Sequence, residues 1–483
     1  MIAHHLSIAR RLRPLALAAA AACAPFVAHA ADAAPAPAAR HPAALTVPKL
    51  PLRVRTLPNG LQVVQVFTPD AANASVQVWY RTGSKDDPAG RSGFAHLFEH
   101  LMFKSTKHLE SESFDRLTED VGGANNAFTA DDTTAYHQVI PPNHVERLLW
   151  AEAERMVNLT VDEANFKSER SVVEEELRQR VLADPYGRFF NAIPKAGYLV
   201  HPYKRPGIGS IEDLEAASLE DVRAFYKTYY RPDNAVLIVT GPTPPKQLDA
   251  WVDKYFGVLK HDASPVPRVT VKEAVRTEGA RVAVTGPNVP LPAIALLWQG
   301  PGRSAKDAAA LRVASALLGD GDASRLHESL VVKKRLTSNV GFDADLNADA
   351  GLLIAYGIAS NGKSLADIEA ALQAEVERLA NEPVAPAEIE KVRTRLLTAK
   401  LVERQTALGQ GMAVGEAVIW RGGDPAAVNT ELPELQAVTA VDVQRVMKQY
   451  VVGHPRVVVE YTQEKAPEAP NAASAPETKK EGK

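Results

Sequence analysis

From Gly93 to Met102 the chain reads Gly-Phe-Ala-His-Leu-Phe-Glu-His-Leu-Met. On a helix His96 and His100 lie four residues apart and share a face, with Glu99 on the same stripe. Two neutral imidazoles one turn apart suit a tetrahedral Zn²⁺, which takes nitrogen at about 2.0–2.1 Å. A carboxylate beside them that does not coordinate can take a proton from a water the ion activates. The order H-x-x-E-H inverts the commoner H-E-x-x-H. The competing reading is two surface histidines beside a glutamate. It sits poorly with Phe94, Leu97, Leu101 and Met102, which make the rest of this helix apolar.

A catalytic zinc usually has three protein ligands. The best third candidate lies between Glu169 and Arg178, where Glu169, Val172, Val173 and Glu176 fall at i, i+3, i+4 and i+7. Carboxylates that share a stripe with valines are costly to bury without a partner, and a metal or a histidine would supply one. Read alone, the segment fits a solvated acidic helix equally well. Glu176 fits as the ligand. Glu169 fits as an outer acid that orients a ligand or handles protons, and so joins Glu99 among the candidate catalytic residues. Glu174 and Glu175 point elsewhere, Glu174 within reach of Arg178.

These residues need a scaffold to position them. Asn59-Gly60 between two apolar stretches reads as a hairpin. A strand at 76–80 and a Gly-bearing loop at 83–93 lead into the histidine helix, and AVLIVT at 235–240 reads as a buried strand. Trp79 and Gly83 recur as Trp298 and Gly302, and Ser218, Asp221, Val222 and Tyr229 recur as Thr439, Asp442, Val443 and Tyr450. Such similar offsets at both ends of the half point to a duplicated α+β unit. The Pro-containing stretch 260–268 divides the two copies. The expected layout is residues 51–260 with the metal motif and 270–462 without it. A Pro/Ala/Glu/Lys tail at 463–483 is too polar to bury a core.

The other end carries Arg10, Arg11 and Arg13, an apolar run from Leu15 to Val27, and Ala28-His29-Ala30. That is a signal-peptide pattern over residues 1–30, followed by an Ala/Pro-rich spacer at 31–50. The run is short of the ~20 residues of a membrane span. The chain is expected to be secreted, and periplasmic if the source is a Gram-negative bacterium. Arg10-Arg11 only weakly indicates the twin-arginine route, and lipidation at Cys23 is a poor fit. Because Cys23 is the only cysteine, the mature chain is expected to lack any disulfide. With 46% hydrophobic residues, 23% charged and a net charge of −3 over 483 residues, a basic nucleic-acid binder is excluded and a multi-domain globular protein is favoured.

The sequence resembles the pitrilysin/insulinase-like metallopeptidases, the family that includes the mitochondrial processing peptidase. Beyond H-x-x-E-H and Glu176, the resemblance rests on Leu-x-Asn59-Gly60-Leu, on Gly122-Gly123-x-x-Asn126-Ala127-x-Thr129 continued by Thr134 and Tyr136, and on His201-Pro202-Tyr203 with Pro206, Ile208 and Gly209. It implies two homologous α+β domains enclosing a peptide-binding chamber, with one Zn²⁺ on His96, His100 and Glu176. It also implies that an extended peptide adds to an edge strand at Asn126, Ala127 and Thr129. Family C-terminal halves often supply an Arg and a Tyr seven residues apart, in a stretch like L-R-E-K-x-G-L-A-Y. Here Val331 and Ser338 stand at those places. The expectation is a zinc endopeptidase for short or unfolded peptides, the metal-bearing subunit of a heterodimer whose non-identical partner supplies the pair. The alternative is a catalytically impaired peptide-binding or structural subunit.

Overall fold

A computed structural model describes residues 47–260 and 263–464. The expected signal, Cys23, most of the spacer and nearly all of the tail lie outside the described residues. The longer elements of the first half are strands β1 (Leu52–Thr56), β2 (Gln62–Phe67) and β3 (Ala74–Tyr80), helix α1 (Phe94–Leu101), and strands β4 (Ala124–Thr129) and β5 (Thr134–Ile140). Helices α2 (Val145–Asn158), α3 (Glu163–Leu177), α4 (Gly187–Gly197) and α5 (Leu219–Tyr229) follow, then strand β6 (Ala235–Gly241). The second half includes β7 (Ala280–Gly286), β8 (Ala293–Gly300), α6 (Ala308–Gly319), β9 (Thr337–Leu346), β10 (Gly351–Ala359), α7 (Leu365–Asn381), α8 (Pro386–Glu403), α9 (Ala407–Trp420), α10 (Ala440–Tyr450) and β11 (Val457–Gln463).

Each half builds one mixed sheet, in the order β1-β2-β6-β3-β5-β4 and β7-β11-β8-β10-β9. Apart from β1 the orders superpose strand for strand, and in each the only parallel pair joins the first of the shared strands to the last: β2 with β6, and β7 with β11. The chain is therefore α+β in two homologous halves. The central strands β3 and β6 are buried along their whole length. That fits β-branched runs covered on both faces.

The residues that recur in the sequence turn out to do the same work twice. Ser218 with Asp221 and Thr439 with Asp442 form the N-terminal capping boxes of α5 and α10. Trp79 and Trp298 are buried in the two sheets. A Cβ on Gly83 would stand 2.2 Å from the Ala130 carbonyl oxygen, and one on Gly302 2.5 Å from that of Ala348. In both halves, then, only glycine lets the hairpin of the two outer strands close over the preceding loop.

The halves also exchange a helix. From the first half, α4 places Phe189 and Ile193 against Leu297, Val459 and Tyr461 of the second sheet. From the second, α9 places Ala413, Val414, Ala417 and Val418 against Val64, Trp79 and Ile238 of the first. The two segments occupy equivalent places in the repeat. Because α9 lies directly on β3, substituting Ala for Gly415, whose Cβ would fall 2.2 Å from the Trp79 ring, should overpack this contact. Gly415→Ala is expected to cost about 1–3 kcal/mol, read as a lower urea midpoint at unchanged slope.

Candidate active site

The site is built on α1. Phe94, Ala95, Leu97, Phe98 and Leu101 are buried in the first core, and Phe98 stacks on Phe225 of α5 with ring centroids 5.2 Å apart. The helix has no capping side chain at Gly93 itself. Instead the buried Asp87 carboxylate accepts from the Gly93 and Ala95 amides at 2.7 and 2.8 Å. Tyr136 of β5 donates to the Phe98 carbonyl at 3.2 Å. With one face pinned this way, His96, Glu99 and His100 point out of the core toward α3.

Helix α3 is capped by Asp162, which accepts from the Asn165 amide, and it buries Phe166, Glu169, Val173 and Leu177 against α1 and its neighbours. Val172, read from the spacing as part of that stripe, is 47% exposed. The i, i+3, i+4, i+7 face is wider than the contact, and the packing seam runs through Val173 instead. Glu174 reaches Arg178 at 3.3 Å as expected.

Glu176 Oε2 lies 3.2 Å from His96 Nε2 and 3.3 Å from His100 Nε2, and the three residues form a cluster able to hold a metal ion. For bonds of about 2.0–2.1 Å, two ligands of a tetrahedral ion stand about 3.3 Å apart. The residues present therefore fit Zn²⁺ in both donor type and spacing. Burial lowers the His96 imidazole, but Glu176 and Glu99 outweigh it and raise it to about 9. Burial pushes the Glu176 carboxyl up, and the two imidazoles with Arg180 hold it well below the usual carboxylate range. Both shifts express one property: the cluster stabilises positive charge between its members.

Around this trio stand groups with separate contacts. Glu99 Oε2 accepts from the Thr129 hydroxyl at 2.7 Å and lies 3.4 Å from His96 Nδ1. Glu169 lies behind His100 rather than beside Glu99, its Oε2 3.6 Å from His100 Nδ1 and its Oε1 2.6 Å from Lys104 Nζ. Arg180, on a π-helical turn that continues α3, reaches the other Glu176 oxygen at 2.5 Å. Sequence reasoning missed Lys104 and Arg180, although each stands four residues after a site residue. It also missed Asp87, for which the sequence carries no signal.

The three peptide-binding candidates all lie on β4, an edge strand with β5 on one side only. Thr129 reaches the site through its hydroxyl, and Ala127 packs on the first core. Asn126 is exposed and accepts from the Ala127 amide. In the second half Val331 lies on a π-helical segment. Ser338 is exposed on β9, its hydroxyl directed at the Ala359 carbonyl.

A duplicated α+β fold with an inverted His-x-x-Glu-His helix facing a glutamate helix defines a zinc metallopeptidase. The sequence matches the family described as "Insulinase (Peptidase family M16)" over residues 62–210, and "Peptidase M16 inactive domain" over residues 216–396. It is 35% identical over 342 residues to "Zinc protease PqqE" of Helicobacter pylori, covering 70% of this chain and 77% of the relative. It is 25% identical to "Probable mitochondrial-processing peptidase subunit beta" of Arabidopsis thaliana, covering 83% of this chain and 76% of that protein. The solved structure of a protease from Helicobacter pylori superposes with a TM-score of 0.82 at 28% identity, covering 85% of this chain and 99% of that one. The chain belongs to the insulinase family of peptidases and is a zinc metalloprotease.

An acid behind a ligating imidazole fixes its tautomer and strengthens it as a donor, and removing such partners typically costs ten- to a hundredfold in metal affinity. Glu169→Ala is therefore expected to weaken Zn²⁺ binding about ten- to a hundredfold in chelator competition.

Proposed function

We propose that this chain is an endopeptidase for short or unfolded peptides, with one Zn²⁺ on His96, His100 and Glu176 and with Glu99 as general base. The observation that carries this reading is the convergence of the two imidazoles and Glu176 beside a carboxylate that is hydrogen-bonded to the edge strand. Zn²⁺ bound there supplies Lewis acidity toward the scissile carbonyl and the attacking water. Glu99 takes the proton from that water and delivers it to the leaving amine nitrogen as the C–N bond breaks. Thr129 holds the Glu99 carboxylate for this transfer. Glu169, tied to Lys104, orients His100. The free edge of β4, around Asn126, Ala127 and Thr129, takes the peptide in extended form, so recognition is led by backbone pairing and preference among side chains is loose.

The chain acts as the metal-bearing subunit of a heterodimer, and the chamber is completed by a non-identical homologous partner. Val331 and Ser338 support this, because neither can supply the cation or phenol that the resemblance implies. The mitochondrial relative is itself named as a subunit. The same absence favours a second reading, a peptide-binding subunit with impaired catalysis. Among the described residues no helix is long and apolar enough to cross a membrane. The signal-like N-terminus supports export, into the periplasm in a Gram-negative source.

Loss of one group that stabilises the transition state costs about 10²–10³ in rate. The isolated mature chain should therefore cleave a quenched fluorescent peptide about 10²–10³-fold more slowly than the complex with its partner. Glu99→Gln should abolish cleavage while retaining zinc, and a chelator should remove both metal and activity. Full activity of the isolated chain would sink the heterodimer. Bound zinc with no cleavage under either condition would establish the binding reading.

A further inference from the structure

The hairpin that carries the peptide-binding strand turns at residues 130–133, and its tip is held from both halves. A pair of aspartates in a tight turn would ordinarily face water, yet Asp132 is only 4% exposed. Its Oδ1 accepts from Lys85 Nζ at 2.7 Å and from the Tyr203 hydroxyl at 2.6 Å. Its Oδ2 accepts from the Trp420 indole N–H at 2.8 Å and the Ala348 amide at 2.9 Å. An ionised carboxylate offers about four lone-pair sites, so its capacity is filled. Two donors come from the first half and two from the second. The neighbouring Asp131 accepts from Ser84 Oγ and from Asn347 Nδ2, each at 2.7 Å.

The second half presents the equivalent hairpin here, the turn between β9 and β10 at residues 347–350. Its Asp349 shares Lys85 Nζ with Asp132, at 2.9 Å, and donates its amide to the Tyr203 hydroxyl at 3.1 Å. His201, fully buried, stands with Nε2 3.6 Å from Asp349 Oδ2. The His201-Pro202-Tyr203 segment is thus accounted for as part of this junction. From Asp132 the strand leads back three residues to Thr129, whose hydroxyl holds Glu99. At about 3.3–3.4 Å per residue, where the tip is anchored sets where Thr129 stands.

Resting on the peptidase reading above, we infer that Asp132 is a positioning residue through which the metal-free second half, by Trp420 and Ala348, fixes β4 and Thr129 against Glu99. The second half thereby contributes to substrate binding without touching the metal. Trp420→Phe removes one donor while keeping an aromatic ring beside Trp79, whose centroid lies 6.3 Å away. Tyr203→Phe removes one from the other side. Arg281→Ala, which breaks ion pairs to Glu369 and Glu460 at the far edge of the second sheet, serves as a control for general loss of stability.

The measurement is amide hydrogen exchange over residues 125–129, together with the affinity of the Glu99→Gln chain for a fluorescent extended peptide. Couplings carried through packed networks of this kind are worth about 0.5–2 kcal/mol. Trp420→Phe and Tyr203→Phe should therefore speed exchange of these amides, and weaken peptide binding, by about two- to thirtyfold. Exchange in α1 and Zn²⁺ affinity should stay unchanged. Unaltered exchange over 125–129 in Trp420→Phe, whatever Tyr203→Phe does, or an equal acceleration in Arg281→Ala, would overturn the inference. If Glu99→Gln binds no peptide in any background, the peptidase reading fails, and exchange still decides whether the second half braces the strand.

Discussion

Taking negative charge out of water is the constraint around which this molecule is arranged. Glu99, Glu169 and Glu176 share one small region with two imidazoles, and the side chains of this group are between 8% and 21% exposed. Carboxylates so placed must be paired or coordinated. Each has its own compensation: Thr129 for Glu99, Lys104 for Glu169, and Arg180 with the imidazoles for Glu176. That charge balance favours a divalent cation between His96, His100 and Glu176. Glu99 differs from the other two in being held by a hydroxyl and an imidazole.

The same constraint recurs at the junction of the halves. Asp132 has four donors, and in the second half Arg303 and Lys400 meet Glu416 while Arg312 and Arg404 meet Glu431. Breaking a buried pair by removing one partner is far more damaging than never having built it. The halves are thus tied by polar contacts with defined geometry as well as by the exchanged helices α4 and α9. Duplication explains the economy of this arrangement. Equivalent glycines, caps and hairpins are used twice, while the candidate metal cluster found among the described residues lies in the first copy.

Much of this was legible in the sequence, because short-range physics leaves a periodic record. Helical spacing places His96, Glu99 and His100 on one face of α1 whatever surrounds them. The recurrence of Ser218 and Asp221 as Thr439 and Asp442, and the repeated Trp and Gly, reveal two α+β copies, because each copy meets the same local requirements. The Glu169–Glu176 stripe was half legible: its direction was right, but Val172 proved exposed, since spacing defines a face and only a neighbour decides its seam. Asp132 left no signal in the sequence and is gripped from two sides.

The sequence by itself thus determined the reactive helix, the class of chemistry and the duplicated architecture, all of which rest on residues close along the chain or on recurring patterns. Tertiary structure alone decided that Glu176 meets His96 from a helix eighty residues later, that Thr129 holds Glu99, and that α9 lies on the first sheet. It alone decided that Trp420 and Tyr203 converge on Asp132. Such pairings join residues that no local periodicity relates. They are settled only when the whole chain finds partners for its buried charges and cover for its apolar faces at once.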